Sequence, residues 1–542
     1  MPLFYPARQR SAESADLGIS RADWRFLLPN PFPGNTICLV DGTLARTVQL
    51  FSETTLYPGN DAGHSDYDLA VLKNPDDAEL GYAISILKPG ACCYVEWDVG
   101  VFFSPSAITK KLETAGFESV EHYMPKPNPD ITPPGIWIPL ESYGAVNFLL
   151  NSNYKAQPAS RRTGKMFLNA LWSLSPAVFI KFPWLISSGR RRLTVCSIAS
   201  KPGKKDGGDV KNIFKSRLAE VMRLLPDDSR GDRSAELSTM IISGGMHRLN
   251  KVVLVVFSGD SPKPSFIVKI PRTGDSESAL VGEAGTLRAL TDEHKFTNGI
   301  PRVLYSDHRL GFFSVGETYI DGRFLGEVRD VNKLPGYAKK LTDWLIDLAK
   351  KTAARMPVDW RNAHISPLAE VLDRAMPDPT DRNIVDKAVD TIKSLEIPAF
   401  VCEHRDFAPW NILLTADGQF GVLDWESSRM DGIPGLDLIY FLTYLCIYIE
   451  EAWTTEKALE CYKKMLDSDT YLGRMCRDSF NSYANEVGLS PQSYKPLRIM
   501  TWATHLASVS SRLEDENLYY GEASHEARSL FLRLIEYEMS GS

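Results

Sequence analysis

Residues 401–426 constrain the fold more than any other stretch of the chain. They read Val-Cys-Glu-His-Arg-Asp-Phe-Ala-Pro-Trp-Asn-Ile-Leu-Leu, then Thr-Ala-Asp-Gly-Gln, then Phe-Gly-Val-Leu-Asp-Trp-Glu. Residues 412–414 form a short apolar run that predicts a buried strand. Thr-Ala-Asp-Gly-Gln predicts a hairpin turn, since Asp-Gly adopts the backbone angles such turns need. Residues 420–423 are then the returning strand. Asn411 follows Asp406 by five residues across a tight Phe-Ala-Pro-Trp turn. Two paired strands bring Asp424 back beside Asn411. The spacing therefore predicts Asp406, Asn411 and Asp424 in one compact place.

Two acids and an amide so placed suit phosphoryl transfer. That chemistry needs in-line positioning of donor and acceptor and positive charge on the phosphate oxygens, with little covalent work by the protein. A carboxylate beside an acceptor hydroxyl can orient it and take its proton, and Asp406 is the candidate. Mg²⁺ prefers oxygen ligands and takes only one or two from protein when phosphates supply the rest, so Asn411 and Asp424 are the candidate metal ligands. Taken singly, each residue has a plainer reading. The His of His-x-Asp is commonly a hydrogen-bonded scaffold residue, and an Asp at a strand end is commonly a turn cap. Only the combined spacing favours chemistry.

His404-Arg405-Asp406 with Asn411, and Asp424-Trp425-Glu426, resemble the catalytic loop and metal turn of the aminoglycoside phosphotransferase and choline kinase group. His-Arg-Asp also occurs in protein kinases, but those carry Asp-Phe-Gly and a long segment ending in Ala-Pro-Glu. Here Asp-Trp-Glu is followed by Pro434-Gly435-Leu436-Asp437-Leu438 opening an apolar helix, as in the small-molecule enzymes. In that group the later Asp braces the catalytic loop, so the resemblance makes Asp437 structural. It covers residues 236–542 and implies a two-lobe, protein-kinase-like α+β fold that uses ATP and Mg²⁺. Upstream, residues 240–243 form a strand entering Gly244-Gly245, and residues 251–257 form the strand leaving. Backbone amides of a glycine turn can approach phosphates closely. Residues 264–270 are a strand bearing Lys269, which costs desolvation unless paired. The resemblance implies that Lys269 reaches the phosphates and is held by a helix acid. Glu283 is chosen for its spacing, with Glu277 as rival. Residues 311–319 resemble the hinge strand, so the backbone of Glu317, Tyr319 and Ile320 is expected to meet the adenine. Asp-Gly then turns the chain into a helical lobe, with apolar three- and four-residue steps at 334–354, 365–375 and 382–395. Helices are expected again at 438–453, 456–466, 471–487, 497–513 and 525–539. Tyr440, Tyr444, Trp453, Trp502 and His505 can line an acceptor pocket there, although aromatic residues at helical spacing are more often core.

Length and composition bound the alternatives. A chain of 542 residues suits two or three domains. With 44% hydrophobic and 24% charged residues it is globular, and a net charge of −7 argues against a general nucleic-acid binder. Eight scattered cysteines without metal spacing predict reduced, buried thiols and a cytoplasmic protein. The first thirty residues lack an apolar signal core, and no uninterrupted apolar run is long enough to span a bilayer. The bulk numbers leave the oligomeric state open.

Residues 1–30 read as a polar leader with an amphipathic piece near Trp24–Leu28. Residues 31–200 alternate strands (36–40, 67–72, 91–97, 117–122, 193–200) with helices (78–87, 106–115), which predicts an α/β sheet. Tyr-Asp-Leu-Ala-Val-Leu, Leu-Lys-Pro-Gly-Ala and Leu-Glu-Thr-Ala-Gly-Phe-Glu-Ser-Val resemble the second half of a class I S-adenosylmethionine-dependent methyltransferase. The resemblance implies a Rossmann-like fold, here truncated. The cofactor loop should be Gly-x-Gly, but Val-Asp41-Gly42-Thr has one glycine. Only twenty-six residues separate Asp41 from Asp68, too few for the missing strands and helices. A degenerate, non-catalytic domain is expected, with Asp41, Asp68 and Asp98 as strand-end caps. Residues 151–192 read as an insertion. Its aromatic-rich centre with basic flanks fits either membrane-interface contact or internal packing, and Pro176 and Pro183 favour packing. Residues 201–235, polar and Gly-rich around a helical stretch 210–225, are expected to be a linker.

The sequence thus predicts a leader (1–30), a degenerate methyltransferase-like domain (31–200), a linker (201–235), and kinase-like small (236–320) and large (321–542) lobes. The expected activity is phosphorylation of a small-molecule hydroxyl, with ATP and Mg²⁺ and without nucleic acid. Two rivals stay open: a non-catalytic nucleotide-binding scaffold, and a bifunctional methyltransferase and kinase.

Overall fold

The computed structural model describes residues 16–56, 66–100, 103–129, 133–155, 192–203, 210–226, 235–245, 247–328, 331–376, 378–515 and 521–540. The chain divides into two compact units. A sheet unit holds Pro2–Val281 and Val303–Tyr319, and a helical unit holds Gly282–Arg302 and Ile320–Ser542.

The sheet unit is built on one mixed sheet. Its strands are β1 (Asn35–Leu39), β2 (Thr54–Leu56), β3 (Tyr67–Lys73), β4 (Leu87–Gly100), β5 (Glu118–Lys126), β6 (Ile136–Pro139), β7 (Arg192–Ser200), β8 (Leu237–Ser243), β9 (Lys251–Ser258), β10 (Phe266–Pro271), β11 (Val303–Asp307) and β12 (Ser314–Thr318). They are ordered β11-β12-β10-β9-β8-β6-β5-β7-β4-β3-β1-β2. β2, β1, β3 and β4 run parallel, and every other pairing is antiparallel. The helices Asp77–Ile86 and Pro105–Thr114 bury Leu80, Ala83, Ile86 and Leu112 with Ile37, Ala70, Leu72 and Val95 on one face. The predicted strands are present. β2 and β6, three and four residues long, were too short to be read from periodicity.

One expectation changes here. The segment 201–235 does not separate two sheets: β6 pairs with β8 at Ile136↔Ile242 and Trp137↔Ile241. The physical reason is that β6 leaves an open edge, and β8 satisfies its backbone groups. The helix Val210–Met222 does lie in this segment, and it packs Phe214, Leu218 and Val221 into the core. The amphipathic piece of the leader is part of the core. Trp24 and Phe26, on a 3-10 turn at Asp23–Leu27, are fully buried, and Trp24 stacks on Tyr94 with ring centroids 3.6 Å apart. Burying such a ring stabilises by about 1.5–3 kcal/mol, which is why this short aromatic piece docks. One apolar cluster runs from these residues through β1, β3, β4 and β7 to Val252, Leu254, Phe266 and Phe312.

The helical unit carries the helices Leu334–Thr352, Trp360–Ala375, Pro379–Lys393, Leu436–Glu450, Thr455–Leu466, Tyr471–Val487, Tyr494–Asp515 and Gly521–Met539. Between them lie β13 (Arg323–Phe324), β14 (Val401–Glu403), β15 (Ile412–Leu414), β16 (Phe420–Val422) and β17 (Arg429–Gly432). β13, β15 and β16 form one small sheet, and β14 and β17 another. All eight cysteines are buried and unbridged. Among the described residues no helix is long and apolar enough to cross a membrane. The basic, aromatic stretch expected at 161–192 lies almost wholly outside the described residues.

Candidate active site

The candidate loop leaves β14 and is held by one carboxylate. Asp437, at the start of the apolar helix Leu436–Glu450, accepts the N–H of His404 at 2.7 Å and of Arg405 at 2.8 Å. Arg405 takes a left-handed backbone, φ +66°. Such strain in a non-glycine residue persists only where surroundings over-determine it, as these two bonds do. Burial and then the neighbouring Glu403 charge push the Asp437 carboxyl up to about 8, against the two bonds that favour its anion.

His404 is fully buried and sits at the centre of the loop. Its Nε2 lies 2.9 Å from the Leu423 carbonyl, and its Nδ1 accepts the Asp406 N–H at 3.2 Å. With Nδ1 accepting, Nε2 carries the proton, so the ring is neutral and ties the loop to the strand before Asp424. That is a scaffold role. Asn411 Nδ2 donates to the Asp406 carbonyl at 2.9 Å and to Asp406 Oδ2 at 2.8 Å. β15 and β16 pair at Ile412↔Val422, and the Leu423 N–H reaches the Asn411 carbonyl at 2.9 Å. The hairpin therefore forms as the sequence spacing predicts, and Asp424 follows it at φ +70°. Burial and then the Asp424 charge push Asp406 up to about 6, while bonds from Asn411 and Trp410 pull the other way. The three candidate residues are thus brought together in one unit. Glu283, on the helix Glu277–Arg288, is fully buried and its Oε1 accepts the Trp425 N–H at 2.9 Å, bracing the turn that follows Asp424.

The donor chemistry suits Mg²⁺. With its amide nitrogen committed to Asp406, Asn411 would offer a metal its amide oxygen and Asp424 its carboxylate; both are hard oxygen donors.

The other candidates lie in the sheet unit. Gly244 and Gly245 follow β8, whose last pair is Ser243↔Val252. Gly245 has φ +76°, which a side chain would strain. Lys269, near the end of β10, is buried, and its Nζ lies 2.8 Å from Glu317 Oε2 on β12. In the antiparallel register Ile267↔Glu317 and Lys269↔Val315, residues 269 and 317 sit diagonally on one face. Sequence reasoning missed this use of Glu317. The signal was there: an acid inside an apolar strand, as out of place as Lys269 itself. Glu317 also pairs with Val303 on its other side, so its backbone lies within the sheet ladder. Tyr319 and Ile320 lie beyond the last residue of β12, outside the ladder. The Tyr319 ring meets Phe148 edge-on at 6.3 Å, and the chain passes into the helical unit at Ile320.

Beside Asp406 stands a set of rings. Trp410 Nε1 is 3.5 Å from Asp406 Oδ2, Trp410 meets Tyr444 edge-on at 4.7 Å, and Tyr440 stacks on His505 at 3.8 Å. Trp502 is fully buried core.

Among curated proteins, none matches this sequence. Among solved structures, the chain is similar to choline kinase LicA from Streptococcus pneumoniae, at 15% identity and TM-score 0.35, over 55% of this chain and 94% of that one. It is also similar to macrolide 2'-phosphotransferase MphH from Brachybacterium faecium (15%, 0.36, 55% and 91%). A third is aminoglycoside phosphotransferase APH(4)-Ia (14%, 0.39, 61% and 99%). Residues 243–458 match the family model described as Phosphotransferase enzyme family, and that span contains Gly244, Lys269, Glu283, Glu317, Asp406, Asn411, Asp424 and Asp437.

Proposed function

We propose that this protein is a phosphotransferase that moves the terminal phosphate of ATP, with Mg²⁺, to a hydroxyl of a small molecule. The observation that carries this reading is Asp406, held through its side chain by Asn411 and raised in pKa by burial and then by Asp424. Asp406 orients the acceptor hydroxyl and takes its proton as the oxygen bonds to phosphorus and the bond to the departing ADP breaks. Asn411 and Asp424 would hold the metal, which when bound would neutralise charge on the phosphate oxygens. Lys269, kept in place by Glu317, grips the phosphates, and Gly244-Gly245 cover them. Asp406→Ala is expected to abolish turnover, a loss of at least about 10³-fold, while MgATP affinity by calorimetry changes little. Turnover within tenfold of the parent would remove Asp406 from the mechanism.

The ring of Trp410 beside Asp406, with Tyr444 packed edge-on against it, supports an acceptor that carries a positive charge near its hydroxyl. A cation over such faces gains about 0.5–2 kcal/mol. Hydroxylated amines should accordingly exceed matched neutral alcohols in kcat/KM.

For residues 31–200, the order β2-β1-β3-β4-β7-β5 with β7 antiparallel between two neighbours supports a methyltransferase-like fold. Its acids have other work: Asp68 accepts the Asn35 N–H and pairs with Lys88 at 2.8 Å, and Asp98 bonds Asn74. That supports a domain without methyl transfer. Calorimetry with S-adenosylmethionine should show no binding, and a micromolar Kd would reverse this reading.

A further inference from the structure

Asp23 lies in the leader segment and Arg272 just after β10, 249 residues apart in sequence, yet they form a fully buried, two-pronged ion pair. Arg272 Nε donates to Asp23 Oδ1 at 3.0 Å and Nη2 to Asp23 Oδ2 at 2.8 Å. The same guanidinium turns its remaining donors on the glycine loop. Nη2 reaches the Gly245 carbonyl at 2.9 Å and Ser243 Oγ at 2.6 Å, and Nη1 reaches the His247 carbonyl at 2.5 Å. Ser243 Oγ in turn donates to Asp23 Oδ2 at 2.6 Å. A second leader cation, Arg25, donates to the Arg272 carbonyl at 2.5 Å and stands 3.7 Å from Asp23.

Burying such charges costs several kcal/mol per ion unless geometry and hydrogen bonds repay it, so a core has no need of this arrangement for stability alone. What it fixes is the direction of the loop. A trans peptide points its C=O and N–H in opposite senses. With the His247 carbonyl held on Arg272, the Arg248 N–H is turned away from the guanidinium. The cluster also has two guanidinium groups and one carboxylate, leaving one positive charge buried behind a glycine turn. A polyanion in front of that turn is what would balance it.

We propose that the leader is part of the nucleotide-binding apparatus: Asp23, through Arg272 and Ser243, positions the Gly244-Gly245 loop for the polyphosphate of ATP. This rests on the phosphotransferase reading of the loop. It makes Asp23, which lies outside the family-matched span, a positioning residue for a site within it.

The test uses the full chain with both partners replaced by apolar side chains of similar size, Asp23→Leu with Arg272→Met, since such exchanges of a buried pair generally preserve folding. The expected result is a folded chain whose Tm falls because Arg25 loses the carboxylate beside it, an MgATP Kd raised about tenfold, and faster amide deuterium uptake at residues 243–250, with the KM for acceptor unchanged. A Kd within twofold of the parent overturns the proposal. If the double variant does not fold, Ser243→Ala decides: a threefold rise in Kd supports the proposal, and no rise overturns it. Lys269→Met is measured in parallel. Should it bind MgATP like the parent, the phosphotransferase reading falls and the leader proposal with it. Should it lose binding while the double variant keeps it, only the leader proposal falls.

Discussion

A base that must shed its proton before it can act is governed by the charges nearest to it. Asp406 is the base of the proposed reaction: burial and then Asp424 raise its carboxyl to about 6, so the fold favours the protonated acid, which cannot accept a hydroxyl proton. On the proposed mechanism, activity is lost as pH falls through that value and present above it. The acid limb of kcat/KM for ATP, which reports groups of the free enzyme, should have a midpoint near about 6. In Asp424→Asn the negative neighbour is gone, so the midpoint should move to lower pH even as kcat drops. An unmoved midpoint would show that Asp424 does not act on Asp406. The same raised pKa means the folded chain binds more protons than the unfolded chain between about 4 and 6, so this group's contribution to stability declines as pH rises across that window. The candidate set Asp406, Asn411 and Asp424 was legible because strand, turn and strand follow one another without interruption. The Glu317 partner of Lys269 was not, because which acid faces a lysine depends on strand register, and register appears only once β10 and β12 are paired.

At the scale of elements, the hairpin of β15 and β16 is steadied from outside by a short loop. The Gly299 carbonyl accepts the Val422 N–H at 2.7 Å, and Trp344 Nε1 donates to the Asn298 carbonyl at 2.9 Å. Gly299 has φ +70°, and a methyl group there would sit 2.1 Å from the Phe420 carbonyl oxygen. Gly299→Ala should consequently destabilise the helical unit by about 2–4 kcal/mol, combining steric displacement with an unfavourable backbone angle. Thermal unfolding would measure it, and a loss below about 0.5 kcal/mol would show that the loop gives way freely. The long amphipathic helices here were legible to within a few residues, because apolar steps repeat over several turns. β13, β14 and β17, two to four residues each, were not: such pieces are strands only because a partner lies alongside.

Taken whole, the chain does not hang two domains on a linker. The twelve described strands of the sheet unit, from β2 to β11, form one ladder, and the apolar cluster from Trp24 to Phe312 runs along it. A chain begun at residue 236 would leave β8 without β6 and Val252, Leu254 and Phe266 without much of their cover. It should aggregate on expression, judged by size exclusion and dye binding, and recovery of a stable monomer with native MgATP affinity would contradict this. The continuity was hidden in the sequence because polar, glycine-rich residues 201–235 have the composition of a spacer, whereas the join is made by four residues far apart in the chain. That join acts as a vernier. Side chains alternate along β8, so Ile241 belongs to the cluster that includes the leader while Met240 belongs to the opposite side. Ser243 shares the parity of Ile241. Slipping β8 by one notch against its neighbours would swing the Ser243 hydroxyl through the sheet, out of reach of Asp23, and misaim everything the turn beyond it is built to touch.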